Sequence, residues 1–349
     1  MPFYHSGPFR GLLWSVVVAA FVGFDVESAR LVAEDAPSGD ADDQPVVAKK
    51  PTDKNSTIKL VSNEVAADET AAEKKQVLLR YRFRPNQFLH YKVVHEMVIQ
   101  MEAKGLTEVT KNTSISKQHL RVVSVGEDGS AIMEAMLDHV NMKSKFDDNE
   151  PTEFDTADPD KRPTQFEHIL KEVGKPQGRV RVDATGKVLE MNVTAGKNAT
   201  AKNSVIKNIS KTESDKPEQE KLESYSLLVP LPEKPVALGE KWIDYMEIKV
   251  QVNKLTRTIK VRRAYTLTKI EGNIAKIEFK TSILDDPQDP EVRVQLIQRT
   301  PSGSIRFDIE NGKIISNTMH SDQTEIGIAG ADSRMRAVSN RTESLFTPD

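Results

Sequence analysis

Beyond Val77 the apolar and polar residues of this chain alternate with a period of two. Leu79, Tyr81 and Phe83 fall in one phase and Arg80, Arg82 and Arg84 in the other, the pattern of a strand with one covered face. The alternation continues through about 88–101, 114–125 and 131–142, with Glu127-Asp128-Gly129 supplying turn chemistry between the last two. It returns over roughly 241–252, 256–270, 274–284 and 292–299, with a turn at Gly272-Asn273. Long antiparallel strands that are apolar on one side must bend to cover that side. The expected fold class is mainly β.

The pattern is also written twice. Gly178-Arg179-Val180-Arg181-Val182-Asp183-Ala184-Thr185-Gly186-Lys187-Val188 answers to Gly303-Ser304-Ile305-Arg306-Phe307-Asp308-Ile309-Glu310-Asn311-Gly312-Lys313-Ile314, with one residue inserted in the turn. Upstream, Phe88-Leu89-His90-Tyr91 matches Trp242-Ile243-Asp244-Tyr245 in kind, and Ala131-Ile132-Met133-Glu134 matches Ala275-Lys276-Ile277-Glu278. Internal similarity of this length implies two copies of one unit. We expect duplicated antiparallel curved sheets, half-barrel-like, each with a short helix against it. The units are placed at 77–193 and 230–349, with a polar excursion over 194–229 that includes a helical pattern at about 216–228. Pro163, the spacing of Phe166, Ile169, Leu170 and Val173, and the closing Gly174 predict the helix of the first unit.

The segment Leu231-Pro232-x-x-Pro235-Val236-x-x-Gly239-x-x-Trp242 is the sharpest motif. Its prolines hold the chain extended, Gly239 permits a turn, and Trp242 opens a strand with a large apolar surface, so its physics is structural. Together with Gly174-Lys175 and the Asp183-x-x-Gly186-Lys187-Val188 hairpin, it resembles an uncharacterised family of exported bacterial β-rich proteins, a domain of unknown function, over about 77–346. The resemblance implies an exported β-rich module and supplies neither an activity nor catalytic positions.

Composition narrows the chemistry. The 349 residues include no cysteine, which removes disulfides, thiol catalysis and cysteine metal sites. Lys and Arg number 49 against 52 Asp and Glu, a formal net charge of −3 that argues for no nucleic-acid partner. The apolar run 11–24 is shorter than the roughly 20 residues of a membrane-spanning helix and reads as the core of a signal peptide over 1–29, the other reading being a retained anchor. Residues 30–76 are rich in Ala, Asp, Glu, Lys and Ser, a composition expected of a disordered linker. The expected location is therefore exported: periplasm, cell envelope or extracellular.

Catalytic patterns are missing. There is no Gly-x-Ser-x-Gly elbow and no phosphate-binding loop, and His95-Glu96-Met97-Val98-Ile99 lacks the second His of a zinc protease. Two acidic loops, Asp147-Asp148-Asn149-Glu150 with Glu153, Asp155, Asp158 and Asp160, and Asp285-Asp286-Pro287-Gln288-Asp289-Pro290-Glu291, lack calcium-loop spacing and read as solvated. Lys254, Arg257, Lys260, Arg262 and Arg263 read as a solvent-facing strand side. Asn192 and Asn198 match glycosylation acceptors, relevant only where the source glycosylates. We expect no enzyme, no cofactor and no metal. The favoured function is a binding module for a lipid or other hydrophobic ligand; the alternative is a structural or protein-interaction component of the cell envelope. Met97, Ile99, Met133, Ala135, Leu137, Ile248, Val250, Ile277 and Phe279 are the expected lining, more apolar positions than one short helix per sheet would cover.

Overall fold

Pairing of the strands follows their order in the chain until the last one joins the two halves. The structure, a computed structural model, describes residues 76–191, 228–252, 255–285, 287–297 and 299–348. The expected signal peptide, nearly all of the expected linker, the helical pattern at 216–228 but for its last residue, and Asn192, Asn198, Lys254 and Asp286 lie outside the described residues. The first meander is β1 (Phe88–Ala103), β2 (Leu106–Val125), β3 (Ala131–Phe146), β4 (Thr152–Asp155), β5 (Pro176–Val182) and β6 (Val188–Met191), with helix α1 (Glu167–Glu172) between β4 and β5. The second is β7 (Lys241–Val252), β8 (Leu255–Glu271), β9 (Ile274–Ile283), β10 (Ser302–Asp308), β11 (Lys313–Ile326) and β12 (Arg334–Phe346), with α2 (Pro290–Leu296) between β9 and β10. The sheet order is β6-β5-β3-β2-β1-β12-β11-β10-β9-β8-β7, all pairs antiparallel, with β4 added beside β3.

The mainly β, antiparallel fold with few short helices is as the period-two pattern implies. Both meanders run in the same order, β1-β2-β3-β5-β6 and β7-β8-β9-β10-β11. The matched hairpins close alike: Asp183 Oδ1 accepts from the N–H groups of Thr185 and Lys187 at 2.8 and 3.0 Å, and Asp308 Oδ1 from that of Asn311 at 2.9 Å. The meanders do not stand apart as two sheets, because β1 pairs with β12 from His90↔Phe346 to Glu102↔Arg334.

Two bridges show how strongly this sheet curls. From β5 to β10 there are six inter-strand steps, about 29 Å if the sheet were flat. Yet Tyr81 N–H donates to Ala184 O, in the β5–β6 turn, and the next residue, Arg82, donates to Gly312 O, in the β10–β11 turn. At the other end of the strands, β1 and β7 are also six steps apart. There α2, only seven residues and about 10 Å long, packs Val294 against Met97, Ile99 and Met335 and packs Val292 and Leu296 against Ile248, Val250 and Val261. The inner face is thus closed at one end by the brace 77–84 and at the other by α2.

Two sequence expectations change. Residues 292–299 were expected as a strand from the alternation of Val292, Val294 and Leu296; instead Asp289 accepts from Glu291 N–H and Pro290 occupies the first turn, which starts a helix. Arg80, expected on a solvent face, donates through its guanidinium to Leu79 O, Pro232 O and Glu233 O, tying the brace to the proline motif. That motif is structural, as its residues suggest: Trp242 Nε1 donates to Pro230 O at 2.9 Å and its ring stacks on Tyr265.

Candidate functional site

Cross-strand partners share a face, so the inner face can be followed from strand to strand. Along β1 it carries Tyr91, Val93, His95, Met97, Ile99 and Met101; opposite these on β12 lie Leu345, Glu343, Arg341, Ser339, Ala337 and Met335. The residues near both ends are apolar and packed against the brace or α2. In the middle, Val93 aside, lie the polar residues His95, Ser339, Arg341 and Glu343.

Glu343 is the centre of this polar belt, 1% exposed. Arg341 reaches its Oε1 through Nη2 at 2.8 Å and Nε at 3.0 Å, and Asn317 Nδ2 donates to Oε2 at 3.0 Å. Burial pushes the Glu343 carboxyl above its ordinary range, against the pull of Arg341 and Asn317. His95, the register partner of Arg341, reaches diagonally so that its Nε2 lies 2.8 Å from Ser339 Oγ. Toward β7, Arg263 Nε donates to Thr281 Oγ1 at 2.9 Å while its guanidinium lies 5.1 Å from the Phe279 ring centre. Arg263 thus belongs to the inner face, not to the solvent face expected of it. Burial also raises the Asp244 carboxyl, with Arg263 opposing, and lifts the Tyr265 hydroxyl to about 12. Burial thus disfavours the ionised form of two carboxyls in a belt that also holds two guanidiniums.

Three further inner-face atoms are buried with no protein partner: Asn317 Oδ1, Asn112 Nδ2 and Thr110 Oγ1. Buried polar groups are nearly always hydrogen-bonded, so these three atoms stand out from the rest of the interior. Arg341, though it projects inward, keeps 30% of its side chain exposed, so the middle of the concave face is reached by solvent.

All nine apolar residues singled out from the sequence are buried, but they are divided among five clusters. Met97 and Ile99 meet Val294, and Ile248 and Val250 meet Val292 and Leu296 from the same helix. Met133 and Ala135 pack with Leu89 and Tyr91, Ile277 and Phe279 with Leu79 and Tyr81, and Leu137 with Phe154, Phe166 and Ile169 beside α1. The brace and helices therefore cover much of what was expected to be open. The belt residues Arg263, Asn317, Arg341 and Glu343 were not foreseen as site residues. A signal existed: Met335, Ala337, Ser339, Arg341 and Glu343 share one phase of β12, so the buried apolar pair dictates which way the charged pair points.

The acidic loops are engaged locally. Asp147 Oδ1 accepts from Val109 N–H, and Glu153 pairs with Lys143 and Lys161. Burial alone would raise Asp155, but hydrogen bonds from Asn141, the Ala157 N–H and His139 hold it at about 2.

Residues 128–314 match the model of a family of unknown function, DUF6263, and the chain belongs to that family. This agrees with the resemblance read from its motifs. No curated protein matches the chain. Among solved structures, one titled "Lipid-protein interactions in lipovitellin" is similar with a TM-score of 0.41 and 10% identity, over 76% of this chain and 25% of that one. The chain therefore spans a quarter of that protein's length. A DUF1329 family protein from Desulfovibrio piger ATCC 29098 aligns with a TM-score of 0.11 and 11% identity, over 73% of this chain and 84% of that one.

Proposed function

We propose that this protein is a non-enzymatic binding module that holds a lipid or other hydrophobic small molecule inside its curled sheet. The observation that carries the reading is Arg341, a part-exposed guanidinium on the concave face between two apolar ends. Such an interior suits a molecule with an apolar body and an acidic or polar head. The head would sit at Arg341, near the unpartnered oxygen of Asn317, and the body would run from there along the concave face. Export, expected from the N-terminal apolar run, belongs to the same proposal.

The test is a titration of the delipidated full chain with a fluorescent fatty acid and with the matching fatty alcohol. We expect saturable uptake of one molecule per chain, and Arg341→Ala should weaken the acid at least tenfold while leaving the alcohol within about twofold. Each 1.4 kcal/mol of lost head-group interaction is a factor of ten. No saturable uptake of either probe would discard the reading in favour of a structural role in the envelope.

A further inference from the structure

On the opposite, outer face of the first meander three strands bring together groups that the interior does not use. His90 on β1 lies directly opposite His119 on β2, and their ring centres are 5.2 Å apart. On β3 a bulge shifts the register between Lys117 and Gln118 of the partner strand, so that Leu137 and Val140 both turn inward with two residues between them. The extra residue re-aims Asp138 to the outer face, where both its oxygens come within 2.8 Å of His119 Nδ1. Donor atoms of His90, His119 and Asp138 all lie within 4.8 Å of one another. Among the described residues this is the group of three with such spacing.

We propose that His90, His119 and Asp138 bind one divalent transition-metal ion of the zinc class. Two imidazoles with one carboxylate suit zinc or copper, whereas calcium and magnesium prefer all-oxygen sets. Donors on one such ion, at bonds of about 2.0–2.1 Å, sit roughly 3 Å apart, and the His119–Asp138 separation already meets this. Here the ion would stand between His119 Nδ1 and the Asp138 carboxylate, where their hydrogen bond now lies. His90 completes the set.

The surroundings fit a small, accessible site. Phe88 and Phe346 wall it, with ring centres 5.5 Å from His119 and 5.9 Å from His90 respectively. Asp138 is open to water at the rim, so a solvent molecule can take a fourth position. Lys117 and Arg121 lie over those same two aromatic rings and set a positive background that keeps the affinity moderate. The site shares no residue with the inner belt and stands or falls independently of it.

Calorimetric titration of the tag-free full chain with zinc chloride tests the proposal, with copper(II) as a spectroscopic probe. We expect one ion per chain, no heat with calcium, and a 10- to 100-fold loss of zinc affinity in His90→Gln and in Asp138→Asn. His139→Gln, which removes the nearby His139–Asp155 pair, should leave binding unchanged. The copper(II) spectrum should show splitting from two nitrogens, falling to one in His90→Gln. His90 is only partly buried, and an unchanged circular-dichroism spectrum of that variant separates lost ligation from lost folding. Absence of zinc binding by the parent chain, or equal affinity in the folded His90→Gln and Asp138→Asn variants, would overturn the site.

Discussion

The phenol of Tyr81 and the peptide of Val229 hold one another twice: the hydroxyl donates to Val229 O at 3.0 Å and accepts from Val229 N–H at 2.9 Å. All of these atoms are buried, so neither peptide group has water to fall back on. The pair fastens the brace to the segment that leads into β7.

Removing the hydroxyl should therefore cost more than a single exposed hydrogen bond. Tyr81→Phe is expected to lower the unfolding free energy by about 1–3 kcal/mol, the range for leaving buried polar groups unpaired. Urea unfolding of parent and variant measures it, and a loss below about 0.5 kcal/mol would mean that the brace is not held by this contact.

Two turn glycines with nearly the same backbone make a second prediction. Gly312 has φ 59°, and a methyl group there would stand 2.4 Å from Arg82 N and 2.6 Å from Arg80 O. Gly272 has φ 57° but open space around its Cα. Gly272→Ala should cost about 1–2 kcal/mol for the left-handed backbone alone. Gly312→Ala adds a backbone collision and should cost at least twice as much. Thermal unfolding of the two variants side by side reads the difference, and equal losses would count against the brace geometry.

Glu343 gives a pH dependence of defined sign. A carboxyl whose folded-state pKa lies above its unfolded value, about 4.3 for Glu, binds its proton first in the folded protein. Its contribution to stability therefore grows as pH falls from the raised value toward about 4.3. Glu343→Gln removes that term. The unfolding free energy of the parent minus that of the variant should rise between pH 7.5 and pH 5, and a fall over that interval would contradict the burial-driven shift.

How much of this was legible beforehand depends on what each residue's periodicity encodes. Long strands such as β1 and β8 carry enough alternating positions to declare themselves, and Asp183 with Gly186 and Asp308 with Gly312 marked the equivalent turns. Val292, Val294 and Leu296 also alternate, and in a segment of only seven residues that phase is consistent with a helix buried from two sides. There the deciding signal was the Asp289-Pro290-Glu291 start. The brace alternates like a strand because it buries Leu79 and Tyr81, yet beyond a bridge at Val77↔Val236 it bonds to turns and not to a ladder.

The sites were harder to read for another reason. Arg341 and Glu343, or His90 and His119, are ordinary polar residues on strands until register places them face to face. Register in turn depends on bulges, such as the one that turns Asp138 outward, which no composition or period announces.

β12 is the last of the described strands and lies between β11 and the first of them, β1. During synthesis both of those neighbours are complete before their partner exists, each presenting a row of unsatisfied peptide groups. Such edges recruit strands from other molecules as readily as from their own chain. Closure between the two meanders must therefore wait for β12, and without it the sheet would be left with two adhesive edges and a strong tendency to aggregate.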